Sequence, residues 1–255
     1  MPPDYSRTNR EAWDRMAADY QRISREMGQP RELTWGWWRH PERELKLLGN
    51  VMGLRVLDLG CGEGNWARQV TAMGATVVGI DLSGEQLKSV SIDGSASVGG
   101  PWFIHGDTTQ LPFAPNTFDV VVSSWGAFSF TDPEHSIPEA ADVLRPGGRL
   151  IVCTWSPIFW LCTDEAHEEP ALALRRAYFD LAEWRGSRGT VRFQRPYGEW
   201  IRLFAAHGLA VERLVEPKPG ADVPLPAHFD APVWTSWIVR FPFDCVWVAR
   251  KRTAR

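Results

Sequence analysis

The chain has 255 residues, 44% hydrophobic and 23% charged, which suffices for one large α/β domain with a full core or a smaller domain carrying a lid. A formal net charge of -3 argues against a broad nucleic-acid or anionic-membrane footprint, and no run approaches the roughly 18 apolar residues of a membrane span. Cys61, Cys153, Cys162 and Cys245 show neither CxxC spacing nor paired histidines, so reduced, buried thiols are expected rather than a metal site or a disulfide framework.

The opening "MPPDYSRTNREAW" lacks the apolar core of a secretion signal, and the expected location is the cytoplasm. Thr8 to Glu11, "TNRE", has the form of a capping box. Trp13, Met16, Tyr20, Ile23 and Met27 then recur at spacings of three and four, predicting an amphipathic helix over residues 9–27 that Gly28 and Pro30 stop. "WGWWRHPERELKLLG" reads as an aromatic loop and a short helix with Pro41 in its first turn and Gly49 after its end.

From Arg55 the chain alternates. Strands are predicted over Arg55–Leu59, Thr76–Ile80, Trp102–His105, Phe118–Ser123 and Arg149–Thr154, with helices over Trp66–Met73, Ser83–Val90 and Ile137–Leu144 between them. This alternation calls for a parallel sheet with right-handed crossovers. "SIDGSASVGG" reads as a loop. After Thr154 the rhythm breaks, and residues 155–196 read as an inserted lid over the ligand edge of the sheet. A helix over Tyr197–His207 and the strands "LAVERLV" and "FDCVWVA" complete the chain. The expected organisation is one domain, 1–255, with an N-terminal helical cap at 1–50.

In open parallel sheets the ligand lies beyond the carboxyl ends of the strands, where the first strand here delivers "DLGCGEG", Asp58 to Gly64. Glycines at alternate positions let the backbone turn tightly and approach a ligand. Asp81 ends the second strand about 20 residues on, where a carboxylate binds both hydroxyls of a ribose, and Asp107 in "HGD" can accept from an adenine amino group. The bland alternatives are a helix cap for Asp81 and a turn residue for Asp107. Asn65 stands where a dinucleotide fingerprint needs its third glycine, and Asp58 and Glu63 would repel a pyrophosphate. S-adenosylmethionine, with a sulfonium and an ammonium group, reverses that conflict.

With "VLDLGCGEG", "VVGIDLS", "GDTTQLPFAPNTFDVVVSSW" and "VLRPGGRLIV" in this order and spacing, the chain resembles the class I S-adenosylmethionine-dependent methyltransferases over about residues 51–155. It is similar to the small-molecule branch that includes ubiquinone and menaquinone biosynthesis enzymes, and its remaining segments look like a bacterial subgroup. The resemblance implies a Rossmann-like seven-stranded sheet of order 3-2-1-4-5-7-6 with the last strand antiparallel. It also implies that Gly60 and Gly62 lie against the methionine portion, Asp58 holds its ammonium group, Asp81 takes the ribose hydroxyls and Leu82 packs on the adenine. Asp107 and Thr108 would face the adenine amino edge, and Ser123 to Trp125 the methyl side. Tyr20 and Trp35 would close the cofactor from the N-terminal side, with plain helix-face packing the alternative for Tyr20.

"VSSWGAFSF" departs from the Asp/Asn-Pro-Pro-Tyr pattern of nucleobase-amine enzymes and lacks a carboxylate cluster for Mg²⁺. Methyl transfer needs a base only where the acceptor's own acidity is too weak. The candidates are His40 beside the "WGWW" loop, His135 in "TDPEHS", His167 in the expected lid, and Tyr197. Trp35, Trp37, Trp38, Trp125, Trp155, Phe159, Trp160 and Trp200 fall near the expected ligand edge, which points to an apolar or aromatic small-molecule acceptor. The expected assembly is a monomer or homodimer, without nucleic-acid or membrane partners. Two other readings stay open: an S-adenosylmethionine-binding protein with a regulatory or non-methylating role, and an RNA methyltransferase.

Overall fold

The structure is a computed structural model that describes residues 3–28, 30, 32–92, 99–163, 169–219 and 232–253. Its centre is a seven-stranded sheet built from β3 (Arg55–Leu59), β4 (Thr76–Asp81), β5 (Trp102–His105), β6 (Phe118–Ser124), β7 (Leu144–Trp155), β10 (Leu209–Val215) and β11 (Asp244–Lys251). The spatial order is β5-β4-β3-β6-β7-β11-β10, which in chain order along the sheet is the expected 3-2-1-4-5-7-6. β3 to β7 pair in parallel, whereas β11 runs antiparallel to both β7 and β10.

Both faces of the sheet are apolar, as helices on either side require. Val121, Leu150, Val152, Cys245 and Trp247 point to one side, towards α5 (Pro133–Val143) and α7 (Tyr197–Ala206). Their alternating neighbours Val120, Val122, Ile151, Cys153 and Val246 point to the other, against α3 (Asn65–Ala72) and the chain around Leu47 and Leu48. A third cluster, dominated by indoles, caps the sheet end near β7 and β11; it includes α6 (Pro157–Cys162) and α8 (Pro232–Ile238).

The chain before the sheet differs in detail from the expectation. α1 (Asp4–Met27) begins one turn before the capping box: Thr8 is already helical and its hydroxyl donates to the Asp4 carbonyl, so Pro3 is the N-cap. β1 (Thr34–Trp35) and β2 (His40–Pro41) flank the aromatic loop, and α2 (Glu42–Leu45) is a single turn with Pro41 before it rather than inside it. The buried Glu42 side chain does what a longer helix would have done. It accepts the Leu47, Leu48 and Gly49 amides at 3.1, 2.9 and 2.7 Å and the Trp35 indole N–H at 2.5 Å.

α5 starts at Pro133, earlier than expected, because Asp132 caps it by accepting the Glu134 amide at 3.0 Å. The "RPGG" turn lies within the span of β7, so the strand rather than the helix claims Leu144. α4 (Gly84–Ile92) follows β4, and residues 93–98 of the expected Ser/Gly loop lie outside the described residues. Between α6 and α7 the described chain forms one hairpin, β8 (Glu183–Arg185) with β9 (Val191–Phe193). The four cysteines are free and buried.

Candidate active site

β3 and β4 run side by side into the glycine turn, where the Gly60 and Cys61 amides both donate to the Ile80 carbonyl, at 2.8 and 3.1 Å. Gly60 has φ +74°, and a Cβ there would stand 2.5 Å from the Ala127 nitrogen, so only glycine lets the chain after β6 close on this turn. Asp81 locks the turn from the next strand: its Oδ2 accepts the Gly62 amide and its Oδ1 the Ser83 amide, each at 2.8 Å. A carboxylate carries about four acceptor sites, so Asp81 still has lone pairs for two hydroxyls.

Asp58 lies under the turn, 2% exposed, with Oδ2 buried and unpartnered. Burial, and then the charge of Asp81, push its carboxyl up to about 8. Burial also raises Asp81, partly offset by the amides of Ser83 and Gly62.

These elements open into a cavity of about 410 Å³ beyond the carboxyl ends of β3, β4, β5 and β6, on both sides of the switch in strand order. Tyr20, Gly60, Gly62, Asp81, Leu82, Asp107 and Thr108 line it. Asp107 turns Oδ1 to the Thr109 amide and hydroxyl, both 2.9 Å away, and keeps Oδ2 buried without a partner.

α1 straps across the opening. Its fully buried Asn9 donates to the Phe130 and Val191 carbonyls and accepts the Val191 amide at 2.7 to 2.9 Å. Further along, Asp14 accepts the Ser83 hydroxyl at 2.6 Å, and Ser24 donates to Glu63 on the glycine turn.

The wall facing the turn is aromatic. Trp13 on α1 packs edge-on against both Tyr20 and Phe130, with centroids 4.9 Å away in each case. Trp125 follows β6 with φ +58°, a left-handed backbone conformation costly for so large a residue, and its ring leans on Trp155 at 5.2 Å and Trp37 at 6.0 Å. Trp66 lines the cavity where α3 leaves the glycine turn. Trp13 and Trp66 were absent from the aromatic set expected at this edge. In the sequence Trp13 belongs to the apolar stripe of α1, and Trp66 reads only as the start of a helix.

Several expected residues lie elsewhere. Trp35 is fully buried behind Trp66, held by Glu42, because the short α2 turns its carboxylate inward. Ser123 is fully buried, its hydroxyl 3.4 Å from the Phe128 amide, and the next residue, Ser124, faces the cavity, as strand alternation requires. His40 sets Nε2 2.7 Å from the Lys218 carbonyl, and His135 sets Nδ1 2.8 Å from the Tyr5 hydroxyl; neither lines the cavity. Tyr197 donates to Glu216 at 2.6 Å and borders a separate groove with Ile158 and Leu174. Burial first of all raises its phenol well above the usual range. Trp160 and Trp200 are core, and His167 lies outside the described residues.

Residues 57–152 match a family described as a methyltransferase domain. Over this stretch the chain carries a methyltransferase domain. A demethylmenaquinone methyltransferase of Clavibacter sepedonicus is 38% identical over 106 residues, 42% of this chain and 43% of that one. The chain thus spans about half the length, or less, of that curated relative. An S-adenosylmethionine-dependent methyltransferase of Mesorhizobium loti, 25% identical, superposes over 81% of this chain and 94% of its own with a TM-score of 0.65. The [4+2]-cyclase SpnF shares the fold, at 18% identity, a TM-score of 0.64 and coverage of 96% and 97%.

S-adenosylmethionine is the cofactor this methyltransferase domain implies, and the residues fit it. Unpartnered carboxylate oxygens on Asp58 and Asp107 suit an ammonium and an amino group, and the glycine turn keeps its backbone clear.

Proposed function

We propose that this chain transfers a methyl group from S-adenosylmethionine to a small, largely apolar or aromatic acceptor. The observation that carries this is the two-sided cavity, with carboxylates and a glycine turn on one side and Trp13, Trp125 and Phe130 on the other. When bound, the cofactor supplies a methyl group on a cationic sulfonium. Gly60, Gly62 and Asp58 would hold its methionine portion, Asp81 its ribose and Leu82 its adenine face. Asp107 and Thr108 would take the amino edge.

The chain's own contribution is alignment and exclusion of water. Indole and phenyl faces hold a planar acceptor, while α1 acts as cover over the ligand edge. His40, His135 and Tyr197 stand away from the cavity, and burial pushes the Cys61 thiol well up. The arrangement therefore favours acceptors that ionise readily by themselves, such as phenols, thiols or activated carbons. The acceptor is a small molecule rather than RNA, and the protein works in the cytoplasm as a monomer or homodimer. No described helix is long and apolar enough to cross a membrane.

Calorimetry with S-adenosylmethionine and S-adenosylhomocysteine, followed by labelled-methyl transfer to a panel of small aromatic acceptors, tests this reading. Transfer to RNA or protein alone would overturn it. Since the same fold is found in a [4+2]-cyclase, a second reading is an S-adenosylmethionine-binding protein that does not methylate. Formation of S-adenosylhomocysteine during turnover separates the two.

A further inference from the structure

Asp244 opens β11, more than a hundred residues from the cavity's chemistry in sequence, and its side chain is fully buried. Oδ2 accepts the Trp37 backbone amide at 2.6 Å, while Oδ1 is buried without a partner. The fit is close: Gly36 has φ +70°, and a Cβ there would collide with this carboxylate. Trp37 in turn packs edge-on against Trp125 at 6.0 Å and Phe243 at 5.5 Å, and Trp125 lines the cavity. The same loop reaches the end of α1, where Arg39 donates to the Met27 and Gly28 carbonyls at 3.2 and 3.3 Å.

A carboxylate among indoles is a poor way to stabilise a core, since an apolar side chain of similar volume avoids its desolvation. Its place is explained by what it grips. We propose that Asp244 is a positioning residue for the methyl acceptor, fixing the edge-on Trp37–Trp125 pair by its hold on the Trp37 amide, an inference that rests on the methyl-transfer reading above. The titratable groups facing Asp244 are Cys153 from β7 and Cys245 from its own strand, both with thiols raised by burial. Burial pushes Asp244 itself up to about 7.

The test uses the full chain labelled with 5-fluorotryptophan, its Trp37 and Trp125 fluorine signals assigned by Trp37→Phe and Trp125→Phe. In the wild type both signals should titrate with a midpoint near pH 7. Asp244→Asn, which keeps an oxygen for the Trp37 amide, should leave them in place and abolish the titration. Asp244→Leu should move both signals, and should lower kcat/KM for 1-naphthol at least tenfold, chiefly through KM, with S-adenosylhomocysteine affinity within twofold. Signals that stay flat from pH 5.5 to 8.5 in the wild type, or a Trp125 signal unmoved in Asp244→Leu, would overturn the proposal. Failure of the wild type to bind S-adenosylhomocysteine would instead refute the cofactor reading, and binding without turnover of 1-naphthol the acceptor class. The fluorine signals decide the role of Asp244 in either case.

Discussion

The two sides of the cavity are made in different ways. The turn side comes from three short stretches at adjoining strand ends, Asp58–Gly64, Asp81–Ser83 and Asp107–Thr109, carried by neighbouring strands of one sheet and held by backbone amides and carboxylates. The aromatic side gathers Trp13 from α1, Trp125 and Phe130 from beyond β6, and supporting rings at Trp37, Trp155 and Phe243. One side depends on hydrogen bonds that a sheet enforces, the other on packing between segments far apart in sequence. Substitutions should therefore separate cofactor binding from acceptor use.

The largest effect is expected from Gly60→Ala. The added methyl would meet the Ala127 nitrogen in a left-handed conformation, so the fold should lose about 2–4 kcal/mol of stability, seen as earlier thermal unfolding, and calorimetry should detect no S-adenosylhomocysteine binding. Asp81→Ala removes the acceptor of two turn amides and should weaken S-adenosylhomocysteine by roughly 50-fold. Acceptor turnover at saturating cofactor should change far less. If both fall together, the two sides are one unit and the comparison fails.

Trp13→Ala should do the reverse. Losing the edge contacts with Tyr20 and Phe130 should raise KM for an aromatic acceptor by about tenfold while cofactor affinity stays within about threefold.

Asp58 gives a pH-dependent version of the same contrast. Its folded pKa, about 8, lies above the unfolded value near 4, so its contribution to stability is complete below about pH 4 and is lost as the pH rises through 8. Asp58→Asn should thus stabilise the cofactor-free protein at pH 9 by a few kcal/mol, on the order of 3, and not at pH 4, as melting curves would show. For the wild type, S-adenosylhomocysteine affinity should rise between pH 6 and 8 as the carboxylate ionises to meet the ammonium, and the variant should lose that slope. The smallest effect is expected from Ser24→Ala, which removes the hydroxyl that joins α1 to Glu63 and Asn65 and should cost about threefold in cofactor affinity.

The turn side was legible because its signals are local: glycines at fixed offsets after an apolar strand, and acidic residues at the next two strand ends. The sheet order and the antiparallel final strand were implied by the family resemblance that these motifs carry. Ser123 was one residue off, since the facing residue depends on where the strand ends, and Ser124 still belongs to β6. Trp35 and the histidines were misplaced because an aromatic or titratable residue near a sheet edge reveals nothing of which way its backbone turns. Glu42 decides it for Trp35 by drawing the indole inward. Asp244 gave no signal at all, since its importance lies in a contact with an amide 207 positions earlier.

The insertion of β11 between β7 and β10 has a consequence for biosynthesis. At ribosomal speed roughly 5–20 s separate the emergence of Trp155 from that of Asp244. During that interval the parallel strands that carry the glycine turn can pair, while the outer edge of β7 stands open and the contact between Asp244 and the Trp37 amide is still to form. The nascent chain would assemble its cofactor half first and be exposed along β7 until its last strand arrives, which makes that edge the place where a chaperone would do most good.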